Sequence, residues 1–534
     1  MKTKRLIIFL VIIALFGCSD DFLNVELKNN LGVDSYFKTK EHALAAITSC
    51  YDPLKARGNF GNNYQYVLFA LDPRMVNENS SLNEYNFTAN NGFIGGDPLN
   101  FSIWDQMYRG IFRTNLAIEK ISPIEITGED PAGFPLKNRL LGEAKFMRSV
   151  YNFYLVMHFN EPVFLDYPVY DLNAEYTNSP QSRFWNQIEA DLMYAMEHLP
   201  EQSQYAPKDL GRATRGAAAA LLGKSYLYQQ RWSEAENIFK QVINSGQYQL
   251  SMPLGTDSMD FVNAYMANFT RIDLPASNGA TYKSEWNKES IFEINNYNSY
   301  ENVINDWNPG MQVDGSNFSR YFGVNGFRNV VPTAEMAEVF ELTPEGHPLE
   351  KDPRFSASIF SRGDYLDNIN PENTAFYKRG FRPRVHNNAG IDQGYGLKKY
   401  IYPIWQDPLY GPGNDPNNWR LIRFADVLLM YAEACYHTGN ATDGLNALNL
   451  VRQRVGLNPR EELTPEYIMH ERDVEFFGEC LRYPDMVRWL KLPNPWVAPE
   501  QIHPNFEVGK HEFFPIPEVD VVRLGGSLRQ NPNW

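Results

Sequence analysis

Residues 214–248, "TRGAAAALLGKSYLYQQRWSEAENIFKQVINSGQY", carry two helical patterns separated by one short break. The first pattern is rich in alanine, the residue with the highest intrinsic helix propensity. Ala219, Ala220 and Gly223 leave little side-chain bulk on this helix, so a second helix can approach it closely. The stretch therefore predicts two helices packed as a tight hairpin.

The second helix of this hairpin has its own start and stop signals. Trp232 opens it, and Ser233 and Glu236 have the spacing of a capping box. Gly246 suits its C-terminal end. Small residues in one helix and a Trp-x-x-Ala start to the next resemble a tetratricopeptide-type hairpin. A second such pair occurs at 423–456, "RFADVLLMYAEACYHTGNATDGLNALNLVRQRVG", without tandem copies, so we expect dispersed hairpins and not a regular solenoid.

Further helices are predicted from apolar residues spaced three and four apart. The first should be capped by Thr39 and run to about Cys50. The others should cover 103–121, 136–159, 182–199 and 465–492.

The rest of the chain has little helical period, with strand-like runs such as 398–402. We therefore predict a mostly α fold in which tetratricopeptide-type hairpins form one scaffold with long irregular insertions and few short strands. No clean linker separates two domains, so we expect one domain over 38–534. Its predicted parts are a helical scaffold at about 38–246 and 420–492 and variable insertions at about 56–101 and 247–419.

The N-terminus has the layout of a secretory signal. A cationic head precedes the uncharged run 6–16, which is too short to cross a bilayer and leads to Gly17. Residues 15–18, Leu-Phe-Gly-Cys, resemble a bacterial lipobox, in which cleavage precedes an acylated cysteine. We predict a signal peptide at 1–17 and a lipidated Cys18 with a tether at 18–37; the alternative is an ordinary signal with a chance cysteine.

Composition narrows the functional classes. The net charge of −15 and the lack of a basic stripe argue against nucleic acid as a partner. Cys50, Cys435 and Cys480 are too widely spaced for a disulfide framework or metal cluster, so we expect them to be buried. No H-E-x-x-H, G-x-S-x-G or phosphate-binding glycine loop occurs, and we predict no catalytic residue, metal or cofactor.

Three acidic patterns have both a functional and a structural interpretation. The carboxylates at helical spacing in 465–492 could be catalytic, but arginines three residues away favour ion pairs; they are Glu471, Glu475, Glu479 and Asp485, with Arg472, Arg482 and Arg488. Glu143 and Arg148 favour an ion pair for the same reason. Asp415 and Asn417 weakly suggest a calcium loop, and a Pro/Asn turn is favoured.

Five motifs in order resemble the SusD/RagB family of outer-membrane nutrient-binding lipoproteins. They are "GEAKFMRSVYNFYLVMHFNEPVF" (142–164), "TRGAAAALLGKSYLYQQRWSEAENIFKQVI" (214–243), "RFADVLLMYAEA" (423–434), "ERDVEFFGECLRYPDMVRW" (471–489) and "FFPIPEVDVV…LRQNPNW" (513–534). The resemblance implies a lipid-anchored protein at the outer-membrane surface that acts as a lid on a SusC-type TonB-dependent transporter. It also implies capture of oligosaccharides, or of peptides as in RagB-like relatives.

The predicted ligand residues lie in loops rich in asparagine and aromatic side chains. Flat aromatic rings cover the C–H face of a sugar, and planar amides bond its hydroxyls. The stretch "NNYNSYENVINDWNPG" (295–310) supplies Tyr297, Tyr300 and Trp307 among six asparagines. From the family resemblance, the loop ahead of the helix at 103–121 supplies Asp72, Arg74, Asn77 and Tyr85. The alternative is that these aromatics only pin the loops to the scaffold.

Overall fold

The computed structural model describes residues 37–76, 96–171, 174–296, 315–323, 329–360, 395–401 and 415–534. Helices dominate these residues, so the mostly α prediction is confirmed. The α-helices are α1 Lys40–Lys55, α2 Asn63–Ala70, α3 Pro98–Ile121, α4 Leu136–Phe159, α5 Gln181–His198, α6 Arg215–Tyr228, α7 Trp232–Asn244, α8 Ser258–Met266, α9 Phe318–Phe322, α10 Ala334–Glu338, α11 Pro353–Ser358, α12 Phe424–Thr438, α13 Ala441–Arg454, α14 Pro465–Glu475, α15 Arg482–Leu490, α16 Pro499–Ile502 and α17 Glu518–Arg523.

The helices form one continuous row. Each of α3 to α6 packs against the next helix in sequence, and α7 then packs on α12, which pairs with α13. The two predicted hairpins, α6–α7 and α12–α13, are thus neighbours in space although residues 245–423 separate them in sequence. Close approach at Gly223 is confirmed, because a Cβ there would lie 2.6 Å from the Phe239 ring.

The predicted signals at the ends of α7 have different outcomes. The capping box is wrong: Arg231 is the N-cap, and no side chain caps the helix there. Glu236 instead accepts hydrogen bonds from Thr438 Oγ1 (2.5 Å) and Asn440 Nδ2 (2.6 Å), which ties α7 to the turn of the second hairpin. The C-terminal stop is confirmed, because Gly246 follows the C-cap in the left-handed region, with φ +70°.

The single helix predicted over 465–492 is two helices, α14 and α15. The chain turns between them, with Gly478 at φ +79° and Cys480 at φ +63°. The backbone oxygen of Glu475, at the end of α14, accepts hydrogen bonds from three side chains outside the helix. The donors are Tyr265 Oη (2.5 Å), Lys399 Nζ (2.9 Å) and Arg423 Nη2 (2.9 Å). These long-range bonds replace the bonds of a continuing helix.

Helix α2 lies where irregular structure was predicted, and all eight of its residues are buried. The strand-like run predicted at 398–402 is also displaced, because the strand there is Gly396–Leu397. The strands of the described residues are β1 Met75–Val76, β2 Leu274–Pro275, β3 Thr281–Tyr282, β4 Ser290–Ile294, β5 Val331–Pro332, β6 Ile359–Phe360, β7 Gly396–Leu397 and β8 Trp419–Arg423. They form the antiparallel pairs β1–β5, β2–β3, β4–β8 and β6–β7.

Most of the core is one hydrophobic cluster that runs through most of the described helices and the β4–β8 pair, and a small separate cluster lies around Tyr282. The predicted burial of the three described cysteines is confirmed, and each is free. Among the described helices, none combines the length and apolar character that spanning a bilayer requires.

Candidate functional site

Described residues next to four segments of the chain lie close together, and two of these segments, 77–95 and 297–314, carry predicted ligand residues. For 77–95, only the residues that precede it are among them. We call these described ends the loop platform: residues 72–76, 294–296, 315–323, 329–333, 358–360, 395–401 and 415–423. The pairs β1–β5, β6–β7 and β4–β8 belong to it, and β5 contacts β7. The loop platform is therefore a connected and mostly buried part of the scaffold to which segments 77–95, 297–314, 361–394 and 402–414 are joined.

Segments 297–314 and 402–414 share a root, by which we mean that the described residues at their ends are bonded to each other. The backbones of Ser316 and Asp415 form a β-bridge, with N–O distances of 2.9 and 2.7 Å. The Asn296 amide nitrogen donates to Asn418 Oδ1, and Asn296 Nδ2 donates to the Asn417 carbonyl, both at 2.8 Å. Side-chain amides thus fix the ends of 297–314 and 402–414 to each other.

The Asn417 side chain also stabilises this shared root through two hydrogen bonds. Its Oδ1 accepts from the Arg271 amide (2.9 Å), and its Nδ2 donates to the Tyr400 carbonyl (3.0 Å). Tyr400 stacks on Trp419 with ring centroids 4.2 Å apart. Because Asp415 and Asn417 are buried and bonded to protein groups, the structural interpretation of this stretch fits better than a calcium loop. In the described residues, no cluster of acidic, histidine or cysteine side chains is suited to a metal ion.

Asp72 and Arg74 lie at the edge of the loop platform, just before segment 77–95. The Arg74 guanidinium binds Asp72 (3.1 Å) and Asp473 (2.8 Å), and Arg482 lies 3.7 Å from Asp72. Burial favours a raised pKa for Asp72, but Arg74 and Arg482 outweigh it and hold this pKa below its ordinary value. Both predicted residues are thus part of a buried ion-pair group, and their contact with ligand stays a prediction.

The remaining predicted site residues lie outside the described part of the chain and stay predictions. They are Cys18, Asn77, Tyr85, Tyr297, Tyr300 and Trp307.

The acidic helix residues have the structural role that the spacing favoured. Glu475 is fully buried and its carboxylate binds Arg354 (3.0 Å), Arg423 (2.5 Å) and Arg454 (2.5 Å). Glu479 binds Arg423 (2.8 Å) and Lys399 (2.8 Å). Glu475 and Glu479 are both buried in the described part of the protein.

The partners of these acidic residues, however, differ from the predicted ones. The pair Arg488–Asp485 is confirmed at 2.9 Å. Arg472 binds Asp485 and Asp426 instead of Glu475. Glu143 binds Arg139 and Arg212, while Arg148 binds Asp191, so the predicted pair between Glu143 and Arg148 is wrong. Helical spacing thus predicted correctly that these residues form ion pairs, but it did not predict which residues pair with each other.

The surrounding guanidiniums favour the ionised form of the Glu475 carboxyl group. Burial favours a raised pKa for its carboxyl group, but the three guanidiniums outweigh it and hold this pKa well below its ordinary value. Burial also lowers the pKa of the neighbouring Lys399 to about 8, against the opposing effect of Glu479. A carboxylate that stays ionised cannot donate a proton, so Glu475 is unsuited to general acid catalysis.

Trp286 lies beside the loop platform and was not identified as a candidate site residue from the sequence. It is half-buried and adopts a left-handed backbone, with φ +48°, which is uncommon for a bulky residue. Its indole Nε1 donates to Asn295 Oδ1 (3.1 Å), directly before segment 297–314. Gly211 approaches the same amide so closely that a Cβ there would lie 1.9 Å from Asn295 Nδ2. Neither contact has a local sequence signal.

A helical-hairpin scaffold that carries a platform for long loops defines a class of binding protein. Two family models match this chain: one described as "SusD family" over residues 288–534, the other as "Starch-binding associating with outer membrane" over 21–227. Together they extend over most of the sequence. The chain belongs to the SusD/RagB family, as its motifs predicted.

Individual relatives agree with this assignment. A SusD-like protein of Bacteroides ovatus is 26% identical over 520 residues, which cover 92% of this chain and 84% of the relative. SusD-like protein P2 of Formosa agariphila is 24% identical over the full length of both chains. The solved structure of a laminarin-binding SusD-like protein is 25% identical with a TM-score of 0.71, and covers 93% of this chain and all of the other.

Proposed function

We propose that this protein is a cell-surface lipoprotein that captures oligosaccharides or polysaccharide fragments and delivers them to a SusC-type TonB-dependent transporter. The observation that carries the proposal is the loop platform, which anchors the asparagine- and aromatic-rich segment 297–314 in a glycan-binding family. A laminarin-binding protein among its structural relatives supports the same ligand class.

Rigid loop roots suit a sugar site for an energetic reason. Binding has to offset the cost of ordering every side chain and loop that contacts the ligand. At the shared root of 297–314 and 402–414, side-chain amides and a β-bridge already fix the backbone. Aromatic rings such as Trp307 can then stack on sugar faces while the flanking amides bond hydroxyls.

We propose that the protein binds its ligand without turnover. Hydrolysis of a glycan needs two carboxyl groups across a cleft, one of them protonated. The conspicuous carboxylates of 465–492 are instead held by arginines in the interior. No cofactor or metal enters the proposal.

The anchor and the partner belong to the same proposal. Acylation of Cys18 would tether the protein to the outer membrane through the segment 18–37. Lipid anchoring is stable when two or more chains insert, and a bacterial lipoprotein cysteine carries up to three. A tethered binder stays beside its transporter, which raises its effective concentration there.

Isothermal titration calorimetry against two panels tests the proposal. Neutral oligosaccharides, laminarihexaose among them, form one panel, and peptides of similar length form the other. We expect heat of binding with at least one glycan and no release of reducing ends during prolonged incubation. Binding to peptides with no response to any glycan would favour the RagB-like alternative.

A further inference from the structure

A groove lies on the outer face of α3, apart from the root contacts described above. We call it the α3 groove; its walls are α3, the described residues of 163–176 (163–171 and 174–176), and the C-terminal residues 520–528. It has about 270 Å³ of free space, close to the lower end, about 300 Å³, of ligand pockets in proteins. The groove is therefore large enough for a short stretch of an extended ligand.

Hydrogen bonds fix the three walls of the α3 groove to each other. The Trp104 indole Nε1 donates to Asp520 Oδ2 (2.9 Å), which joins α3 to α17. The Tyr108 hydroxyl donates to the Val163 carbonyl (2.7 Å). Asn115 Nδ2 donates to two carbonyls of the 163–176 wall, at 3.0 and 3.1 Å. The groove is thus formed before any ligand arrives.

Aromatic side chains give the groove exposed apolar surface. Phe101 and Phe112 of α3 are 37% and 38% exposed, and Tyr167 opposite them is 52% exposed. Rings of this size are mostly buried in proteins, so a group of exposed ones around a groove marks a binding surface.

The rim of the groove is polar and its charges are balanced. Asp105 pairs with Arg109 (2.6 Å), and Asp520 pairs with Arg523 (2.9 Å). An anionic or cationic ligand gains little from paired charges, whereas hydroxyl groups can both donate to the carboxylates and accept from the guanidiniums. Apolar ring faces between such groups match a neutral carbohydrate, which has C–H faces and hydroxyl edges.

The position of the groove links it to the predicted ligand loops. Helix α3 begins directly after segment 77–95, and Asp97 caps it. A Cβ on Gly96 would lie 3.8 Å from the Glu518 carboxylate of α17, so the returning chain runs along one wall. The groove therefore adjoins the point at which a predicted sugar-binding loop rejoins the scaffold.

We propose that the α3 groove is a second glycan subsite that binds a neutral stretch of a long polysaccharide. This inference rests on the proposed function. Two linked subsites raise the affinity for a long chain without raising the affinity for a short one. The groove should thus favour polymers over oligosaccharides that fill only the loop site.

The test compares a Phe112→Ala/Tyr167→Ala variant with wild type and with Trp307→Ala. The matched control is Tyr170→Ala, because Tyr170 lies on the same wall segment, is 60% exposed and donates to Glu119 instead of lining the groove. Calorimetry and affinity gel electrophoresis are run with soluble laminarin, with the other neutral polysaccharides of the panel, and with their hexasaccharides. Thermal melting confirms that each variant is folded.

We expect the groove variant to bind polysaccharide about tenfold more weakly, with hexasaccharide binding and melting temperature unchanged. Tyr170→Ala should match wild type. Unchanged polysaccharide binding by the groove variant, with loss in Trp307→Ala, would overturn the groove and leave the proposed function standing. Loss of transporter binding in the groove variant with glycan binding intact would also overturn it, in favour of a protein partner. If wild type binds no glycan, the proposed function fails and the groove fails with it.

Discussion

Replacing Glu475 with glutamine would test whether interior ion pairs hold the loop platform together. Its carboxylate binds three guanidiniums, those of Arg354, Arg423 and Arg454. Glutamine has nearly the same shape but no charge. Its amide NH₂ group would face guanidinium N–H groups, so hydrogen-bond donors would meet without an acceptor between them. Arg454 would keep Glu289 as its remaining carboxylate partner among the described residues.

The expected loss of stability is large because the charges are desolvated. Removing one partner of a buried ion pair leaves an uncompensated charge and costs about 3–5 kcal/mol. The site cannot rehydrate easily, since Arg354, Arg454 and Glu475 are each fully buried. We therefore expect Glu475→Gln to lower the free energy of unfolding by about 3–5 kcal/mol, a large share of the 5–15 kcal/mol typical of proteins.

Urea unfolding followed by circular dichroism and tryptophan fluorescence measures this change. Glu338→Gln is the matched control, because Glu338 is 81% exposed and 4.0 Å from Lys351 Nζ. The control should stay within about 0.5 kcal/mol of wild type. A folded Glu475→Gln protein as stable as that control would refute the reasoning, since the paired charges would then contribute nothing measurable.

Three further predictions concern the ligand site and the anchor. Trp307→Ala should weaken glycan binding by roughly 1–3 kcal/mol in calorimetry with little change in melting temperature, because the ring is proposed to stack on sugar. Cys18→Ala should move the protein from the membrane to the soluble fraction, with glycan affinity unchanged. Gly211→Ala should displace Asn295 and weaken glycan binding in calorimetry, because its Cβ would lie 1.9 Å from the amide. Gly133→Ala, at a similar φ with open space around it, controls for backbone strain and should bind normally.

The longer helices could be predicted from the sequence even where most of their residues are buried, as in α4, α6 and α12. Helix α4 has the predicted bounds, and the two hairpins lie where their patterns placed them. Helix α2 was missed because all of its residues are buried, which removes the alternation of polar and apolar faces that signals a helix. The break between α14 and α15 was missed because it depends on donors distant in sequence, Tyr265, Lys399 and Arg423.

For the candidate ligand site, only the types of residue could be predicted from the sequence. Asparagines and aromatics in a loop indicate sugar chemistry, but contacts such as Trp286 with Asn295 join residues without a shared pattern. The ion-pair partners could not be predicted for the same reason. Spacing of three residues placed Arg472 beside Glu475, whereas tertiary packing gives Arg472 to Asp426 and Asp485. Spacing in the sequence cannot tell whether a side chain pairs with a neighbour in its own helix or with a more favourable partner across the core.

Glu475 and Glu479 connect the loop roots to the scaffold through directional bonds. Arg354 comes from the helix before β6, and Arg423 ends β8. Lys399, which lies between β7 and segment 402–414, binds Glu479. The end of α14 and the turn after it thus hold the roots of two segments, 361–394 and 402–414. Apolar contacts alone permit sliding, whereas charge-assisted bonds to buried carboxylates fix both position and orientation. These bonds therefore fix the positions of the segment ends on the loop platform.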